Sequence, residues 1–482
     1  MHAELRLPHI FTDHAVLQRN VPIHVWGWDI PHQGVELRFH GQMTSTTADE
    51  NGRWSAWLEP EQAGGPYSLD VRGSTSLLLT DILVGDVWIA SGQSNMEMPL
   101  SGFDSSQVVT GGQDAIAQAQ PTNIRLFHVP RHSSEFPQTD TVAQWSLTTT
   151  ETLRSFSAIG YFFAQFLAQD QGIPIGIVEA AYGGTPIEAW MSLDGIAANP
   201  AFMPVFRWRD TFTESQPDLD TILERERTED VDARAAGLPP PIHPGHYTTQ
   251  SSLPAGLFNG MIAPLTGYSM CGVIWYQGES NAPSEKVSLY GQLMQALVEN
   301  WRNRWQIGEF PFLYVQLSSW KTNLDWGSIR DAQRRALSVA RTAMVVTYDI
   351  GDAKTIHPAD KRTVAERLSL AARGLVYGEK LEWCGPIYRQ RTIEPHAVRV
   401  WFDHAEDLHA STGNLTGFEL AAADGEFVPA DAKVQGSSVI VSAPNIAAPV
   451  RVRYAWASMT SANLVNHSGL PAPTFITEEP GP

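Results

Sequence analysis

Between residues 86 and 385 the chain alternates short apolar segments with longer segments whose apolar residues recur every three or four positions. Short apolar runs are typical of buried strands, and a period near 3.6 residues is typical of helices. The predicted strands are DVWIA, NIRLFHV, IPIGIVEAAY, CGVIWYQ, FPFLYVQL and AMVVTYDIG, and the predicted helices are FSAIGYFFAQFLAQ, VSLYGQLMQALVENW, IRDAQRRALSVA and RTVAERLSLAARGL. This alternation predicts an α/β domain with a parallel sheet.

The regions on both sides of this domain have the pattern of all-β structure. Strand-like stretches such as VPIHVWGW precede residue 86, where Asn51–Gly52 is predicted as a hairpin turn, and stretches such as VRVRYAW follow residue 385. We therefore expect an N-terminal β-sandwich-like module at 1–85, a catalytic domain at 86–385 and a C-terminal β-module at 386–482. The charged and then proline-rich sequence at 195–255 predicts an insertion in the catalytic domain.

Charge and hydropathy exclude several classes of partner. The 33 basic and 52 acidic residues give a formal charge of −19, which repels nucleic acids and anionic membranes. No uncharged apolar segment reaches 18 residues, so we expect no membrane span. The start MHAELRLPHI enters strand-like sequence at once. A periplasmic or extracellular protein that has lost its signal peptide, or a cytoplasmic protein, is consistent with this start. Oligomeric state is not predicted.

Polar residues follow four of the predicted strands. Ser94 follows DVWIA, Gly183–Gly184 follows IVEAAY, Gln277 to Asn281 follows VIWY, and Asp352 and His357 follow VVTYDI. Because the carboxyl ends of parallel strands share one edge of a sheet, we expect these groups around one cleft.

These residue types form the inventory of acyl transfer. They offer a hydroxyl nucleophile, an imidazole base, a carboxylate to orient it, and amide donors for an oxyanion. Ser94 lacks the second glycine of the G-x-S-x-G turn, which disfavours an ordinary α/β-hydrolase. His243 and His246 lack the further ligands of a zinc site, and His404 and His409 lie in an acidic loop that we expect to be solvated. We therefore expect no metal and no other cofactor.

Several blocks resemble those of a known family. GQSNMEM, GGTPIEAW, WYQGESN and DIGDAKTIHPADK are similar to blocks of the sialate O-acetylesterase family, which are carbohydrate esterases of the SGNH hydrolase superfamily. AVLQRNVPIHVWG, GGPYSL and VRYAW resemble its flanking β-segments, so the resemblance covers nearly the whole chain. It implies a flavodoxin-like three-layer domain that removes acetyl groups from sugars.

The resemblance also implies roles for individual residues. Ser94 would attack the acetyl carbonyl and His357 would accept its proton. The oxyanion would be held by the N–H of Ser94, a glycine N–H for which Gly184 is preferred to Gly183, and the side chain of Gln277. In many SGNH relatives an asparagine fills this last role. Glu279 is assigned either to supporting or contacting the substrate or to a buried structural role, and Asn281 is a further supporting candidate.

The carboxylate that orients His357 is where this sequence departs from the superfamily. Many SGNH enzymes place an aspartate three residues before the histidine, but this chain has Lys354 there, which cannot accept the imidazole N–H. We prefer Asp352, five residues before His357, because it lies in the same loop. Asp349, or a backbone carbonyl in a Ser–His dyad, are the alternatives.

The sugar is left open between two classes. The carboxylate of sialic acid would favour a nearby arginine, and Arg362, Arg389 and Arg391 are close to the motifs in sequence. Neutral acetylated polysaccharides such as xyloglucan or xylan would need an open aromatic groove. The chain has 16 Trp and 12 Tyr, although most are expected in cores. A glycoside hydrolase and a non-catalytic carbohydrate-binding protein are the alternative functions.

Overall fold

The computed structural model describes residues 4–207, 219–238, 240–241, 243 and 251–477. The chain divides into two compact units. The first contains Met1–Trp275 and Ala296–Phe312, and the second contains Tyr276–Gln295 and Leu313–Pro482.

The first unit contains most of the strands and helices that precede residue 276. Its strands are β1 (Val16–Gln18), β2 (Ile23–Trp28), β3 (Gly34–Phe39), β4 (Gln42–Thr47), β5 (Arg53–Leu58), β6 (Gly64–Arg72), β7 (Ser76–Gly92), β8 (Ile124–His128), β9 (Trp145–Leu147), β10 (Ile175–Ala181) and β11 (Gly272–Tyr276, which ends at the first residue of the second unit). Its helices are α1 (Ser94–Glu97), α2 (Gly112–Ala117), α3 (Thr150–Arg154), α4 (Ala158–Gln171), α5 (Leu193–Ala197) and α6 (Leu219–Ala235).

The sheet of the first unit is mixed. Its strands run in the order β11–β7–β10–β8–β9, with β10 parallel to β7 and β8, and β9 antiparallel to β8. The 17-residue strand β7 runs across residue 85, pairing first with β6 and then with β10. The last paired residues of β7 and β10 are Gly92 and Ala181. Both strands therefore end at one edge, where Ser94 and the Gly183–Gly184 turn follow.

The prediction of a hairpin at Asn51–Gly52 is wrong in its pairing. A turn is present, but β4 pairs with β3 and β5 pairs with β2. Every second residue of β2 and β5 is buried, so each strand has one apolar face. In the register of the pair, the buried Ile23 and Val25 lie opposite the buried Leu58 and Ala56, so pairing β2 with β5 places both buried sets on one face of the sheet.

The second unit holds the rest of the α/β region and the C-terminal strands. Its elements are part of α7 (Ser284–Trp305), β12 (Phe312–Gln316, from its second residue), α8 (Trp326–Arg335), β13 (Thr342–Val346), α9 (Lys361–Leu375), β14 (Ile387–Glu394), β15 (Ala397–Asp403), β16 (His409–Ala410), β17 (Phe418–Ala421), β18 (Val428–Pro429), β19 (Asp431–Gln435), β20 (Ser438–Ser442), β21 (Arg451–Tyr454), β22 (Leu464–Val465) and β23 (Phe475–Ile476). The C-terminal strands form antiparallel sheets in the orders β14–β15–β20–β19, β18–β17–β21–β23 and β16–β22. Apolar residues of these strands, including Val400, Leu420 and Phe475, form one buried cluster.

The predicted strands and helices of the α/β region are confirmed. The four predicted helices correspond to α4, α7, α8 and α9, with α8 continued by a short 3-10 turn. The chain is thus an α/β protein with a mixed sheet and additional antiparallel sheets. The predicted insertion at 195–255 lies partly outside the described residues, and α6 belongs to its described part. No helix in the described ranges is long and apolar enough to cross a membrane.

Candidate active site

Ser94 lies in a tight, buried turn at the carboxyl end of β7. Gly92 has a φ of +136°, a conformation that residues with a Cβ rarely adopt, and Gln93 returns to extended backbone before α1 begins at Ser94. The Met98 N–H donates to the Ser94 carbonyl at 2.8 Å, and Ser94 is only 7% exposed. The glycine and the short helix together fix the backbone that carries the hydroxyl.

Ser157, at the N-terminus of α4, forms hydrogen bonds that stabilise this turn. Its hydroxyl donates to the Met96 carbonyl at 2.6 Å and accepts from the Gly160 N–H at 3.0 Å. Its own N–H donates to the Glu179 carboxylate at 2.8 Å. Burial raises the pKa of Glu179 well above its usual range, while the Ser157 N–H acts in the opposite direction. The turn is therefore anchored to both α4 and β10.

The glycine turn after β10 is joined to the Ser94 turn by Glu97. The Gly183 N–H donates to Oε2 of Glu97 at 2.8 Å, and the Tyr182 N–H donates to the Gly92 carbonyl at 3.0 Å. Gly184 has a φ of +71°, which favours glycine. Within the described part of the chain, the Gly184 N–H has no hydrogen-bond acceptor. The two glycines therefore differ: Gly183 ties the turn down, and Gly184 keeps a backbone donor.

Glu97 and Arg131 form a pair that the sequence analysis missed. Arg131 Nε donates to Oε1 of Glu97 at 2.5 Å, and Glu97 is 5% exposed. Burial raises the pKa of Glu97, whereas the Arg131 guanidinium and the Gly183 N–H act to lower it. Arg131 also lies over the Tyr182 ring, with its guanidinium carbon 5.4 Å from the ring centroid. No local pattern signals this pair, because its members are 34 positions apart in the chain.

Gln277 directly follows β11 and is fully buried. Its Nε2 donates to Oδ1 of Asn281 at 2.7 Å, and its Oε1 accepts from the Tyr290 hydroxyl at 3.1 Å. Its carbonyl accepts from the same hydroxyl at 2.9 Å and from Gln333 Nε2 at 3.0 Å. The nitrogen end of the amide thus lies toward Asn281, and its oxygen end lies toward Tyr290.

Lys361, the first residue of α9, is buried next to the His357 segment. Lys361 is 1% exposed, and its Nζ donates to the carbonyl of Pro358, the residue after His357, at 2.7 Å. Burial lowers the pKa of Lys361 to about 7, while the negative charges of Glu279 and Asp360 act to raise it. Glu279 is itself buried, at 6% exposure. This lysine therefore fixes the backbone beside the candidate base.

The two candidate orienting carboxylates have different partners. Asp352 accepts the Lys354 N–H on Oδ1 at 2.7 Å, and its own N–H donates to the Ser319 carbonyl at 3.1 Å. Asp349 is bound through both oxygens to the Arg367 guanidinium, at 2.7 and 2.6 Å.

His357 is half-buried in the same segment, and its N–H donates to the Thr355 hydroxyl at 3.0 Å. The assignment of Asp352 to His357 stays a prediction. Among the residues that the structure describes, no group of three or more His, Cys, Asp or Glu side chains could hold a metal ion, and His246 lies outside them.

Known proteins resemble the chain over nearly its whole length. Sialate O-acetylesterases of Mus musculus and Homo sapiens are 29% and 28% identical to it, over 94% of this chain and 90% and 88% of theirs. The crystal structure of a carbohydrate acetylesterase from Xanthomonas citri has a TM-score of 0.83 and 36% identity, and the match covers 98% of this chain and 99% of that one.

A family model also matches the residues around the candidate site. The family described as carbohydrate esterase, sialic acid-specific acetylesterase matches residues 84–208 and 254–372. These ranges contain Ser94, both glycines of the β10 turn, Gln277 and His357. The chain therefore belongs to the sialic acid-specific acetylesterase family of carbohydrate esterases and is a carboxylic ester hydrolase.

Proposed function

We propose that this carbohydrate acetylesterase works by a serine mechanism. Ser94 Oγ attacks the acetyl carbonyl carbon while His357 accepts the hydroxyl proton, and Asp352 orients the imidazole. His357 then returns the proton to the departing sugar oxygen, which leaves an acetyl-enzyme. Water, deprotonated by His357, attacks this ester and releases acetate and the free serine.

The observation that carries this proposal is the bond between the Glu97 carboxylate and the Gly183 N–H. Glu97 is three residues after Ser94, so the bond fixes the glycine turn relative to the serine turn. A hydrogen-bond donor that is in place before the reaction needs no reorganisation when negative charge develops on the acetyl oxygen. We assign the oxyanion donors to the N–H groups of Ser94 and Gly184 and to Gln277 Nε2, with Gly183 and Glu97 in positioning roles.

The contacts of Gln277 and of the two aspartates support the remaining roles. Gln277 is fully buried directly after β11, and Asn281 and Tyr290 bond to the two ends of its amide, so its side chain is held in place for the proposed donor role. Arg367 engages both oxygens of Asp349, so we assign Asp349 to anchoring the end of β13 and keep Asp352 as the orienting group. Asn281 supports Gln277, and we assign Glu279 to the environment of Lys361.

We also propose that residues 86–385 form a flavodoxin-like three-layer SGNH domain, flanked by β-modules at 1–85 and 386–482. The mixed sheet with helices supports this arrangement. The family assignment favours the esterase over the glycoside hydrolase and the non-catalytic binding protein considered from the sequence.

The substrate is proposed to be an O-acetylated sugar, either sialic acid or a neutral polysaccharide such as xyloglucan or xylan. Two of the three arginines considered for a sialic acid carboxylate have partners in the fold. Arg389 pairs with Asp403 at 3.2 Å, and Arg391 donates to the Thr477 carbonyl. Arg362, next to Lys361, also has a partner, so we assign none of the three to a sialic acid carboxylate.

Release of acetate from a panel of substrates tests the proposal. The panel contains a small activated acetyl ester, O-acetylated sialic acid, acetylated xyloglucan and acetylated xylan. We expect turnover of the small ester and of one sugar class, with rates unchanged by EDTA. Acetate release that EDTA abolishes, or release that persists undiminished in Ser94→Ala, would contradict the metal-free serine mechanism.

A further inference from the structure

The first unit contains a cavity of about 710 Å³ that none of the proposed catalytic residues borders. This volume is in the range of small-molecule sites. The cavity is bordered by the β2–β5 pair, by the end of β4, and by residues from segments 137–139 and 258–266.

The cavity lies away from the Ser94 turn. His24 and Thr266 border it, and His24 Nδ1 is 3.2 Å from the carbonyl of Gly267, in the connection that leads into β11. That connection reaches the sheet where the Cys271 N–H donates to the Val87 carbonyl, five residues before Gly92 on β7. Five strand residues span roughly 16 Å, so the connection beside the cavity joins β7 well before the Ser94 turn.

The wall formed by β2 carries two tryptophans that are not part of the core. His24, Trp26 and Trp28 alternate with buried residues along β2 and are half-buried, whereas Trp88 and Trp275 of the same unit are 0% and 1% exposed. His24 stacks on Trp26 with ring centroids 4.9 Å apart, and Arg6 lies over Trp28 at 3.8 Å. The two indoles are therefore held in fixed planes by a neighbour, which reduces the entropy lost when a ligand binds.

The remaining wall supplies polar groups around these rings. Thr46, Thr47, Asp49, Arg53 and Gln138 border the cavity. Asp49 uses Oδ1 to accept the backbone N–H groups of Asn51 and Arg53, at 2.8 and 2.9 Å. Among the described residues, no carboxylate pairs with the Arg53 guanidinium. His24 and Arg6 each cover one face of an indole, so a ligand would meet the remaining ring surface. Aromatic surface beside hydroxyl, carboxylate and guanidinium groups matches a pyranose ring, which has an apolar C–H face and a rim of hydroxyls.

We propose that this cavity is a second carbohydrate-binding site, which holds a sugar unit of the glycan away from the ester being cleaved. This proposal rests on the proposed function in one respect only, which is the position of the ester that is cleaved. A remote sugar contact of this kind raises the effective concentration of ester groups on a polymer without entering the chemistry. The proposal predicts that a substitution in this cavity weakens sugar binding without changing the hydrolysis of a small ester.

The test is calorimetric titration of the full chain with non-acetylated oligosaccharides, which bind without being hydrolysed. One arm uses a xyloglucan oligosaccharide and the other uses sialyllactose, because both present pyranose rings. The variants are Trp26→Ala and Arg53→Gln, the second of which changes an exposed side chain. Trp401→Ala, which removes a half-buried tryptophan from β15 in the second unit, is the matched control.

We expect the wild type to bind one of the two sugars and Trp26→Ala to weaken that binding about tenfold, or ~1.4 kcal/mol. Arg53→Gln should weaken it severalfold, most for the sialylated sugar. Trp401→Ala should bind normally, and all three should keep the wild-type kcat/KM on a small activated acetyl ester.

Two results would overturn the second site: no binding of either sugar by the wild type, or equal affinity in the wild type, Trp26→Ala and Arg53→Gln. Thermal unfolding identifies a misfolded Trp26→Ala, in which case Arg53→Gln decides. Failure of the serine mechanism would appear instead as activity in Ser94→Ala, which this titration does not involve.

Discussion

The turns after β7 and β10 and the segment from Asp349 to Lys361 both carry proposed catalytic groups, but they are held in place differently. In the first region, backbone groups at two adjacent strand ends bond to each other and to buried side chains such as Glu97. In the second region, side chains hold the backbone in addition to backbone bonds such as that from the Asp352 N–H to the Ser319 carbonyl: Lys361 bonds to Pro358, and Asp352 bonds to the Lys354 N–H. His357 is half-buried there, whereas Ser94 is 7% exposed.

The two regions differ in how far position in the fold suggests a role. At the strand ends, the sheet determines where a group lies, so the proposed roles follow from the residue type and its place in the sequence. In the Asp349–Lys361 segment, two aspartates and a buried lysine are all close to His357 in sequence. Our proposal of orienting and anchoring roles for the two aspartates is therefore based on their individual contacts.

The largest effect is expected from Ser94→Ala. Loss of the nucleophile should lower kcat by about 10⁶-fold on a small acetyl ester, with an unchanged unfolding midpoint because the hydroxyl contributes little packing. Steady-state kinetics and thermal unfolding measure both. Ser101→Ala, which removes a half-buried hydroxyl near the same turn, is the control and should remain active. Normal turnover in Ser94→Ala would remove the first region from the mechanism.

The comparison of Asp352→Asn with Asp349→Asn tests which aspartate of the second region orients His357. Replacing the orienting carboxylate by its amide can cost about 10⁴ in kcat by favouring the wrong imidazole tautomer. We expect this loss for Asp352→Asn. Asp349→Asn should instead lower stability, because it weakens the pair with Arg367. The assignment is reversed if the losses of kcat are exchanged, and a Ser–His dyad follows if both variants stay active.

Gln277→Ala is expected to have an intermediate effect. Loss of one oxyanion donor typically lowers kcat by about 10²- to 10³-fold, with a smaller change in KM. Asn281→Ala leaves the amide in place but removes one of its partners, so it should lower kcat less. A change confined to KM in Gln277→Ala would make this residue a substrate contact.

Lys361 gives the smallest effect, and it depends on pH. Burial lowers the pKa of Lys361 to about 7, so between about pH 7 and 10 the unfolded chain binds more protons at this site than the native protein. The free energy of unfolding should therefore rise with pH in that window, by at most about 1.4 kcal/mol per pH unit relative to Lys361→Met.

Denaturant unfolding of the wild type and Lys361→Met at several pH values measures this difference. Lys354→Met removes an exposed lysine from the same segment and should not reproduce the pH dependence. A difference between wild type and Lys361→Met that does not change with pH would contradict the buried state of Lys361.

Much of the fold was predictable from sequence because local periodicity reports strands and helices directly. The strand before Ser94 and the helix α4 are examples. The partner of β5 was not predictable, because it depends on which strand places its buried residues opposite those of β5 and not on the turn at Gly52.

In the candidate site, too, local motifs were predictable from the sequence and long-range contacts were not. Ser94, Gly184, Gln277 and His357 were proposed from motifs. The side chains that hold them were not, because their contacts join distant positions: Gly183 is 86 residues from Glu97, and Gln333 is 56 residues from Gln277. The lysine of HPADK was visible in the sequence, but only its burial and its bond to Pro358 indicate a positioning role.

Covalent labelling identifies the nucleophile, on which the proposed mechanism depends. A fluorophosphonate reacts with an activated serine by forming an oxygen–phosphorus bond and releasing fluoride, and peptide mass spectrometry then locates the label. We predict a single label on Ser94 that rises in step with loss of esterase activity, and no label in Ser94→Ala. A label on another residue that accompanies the loss of activity would contradict the account.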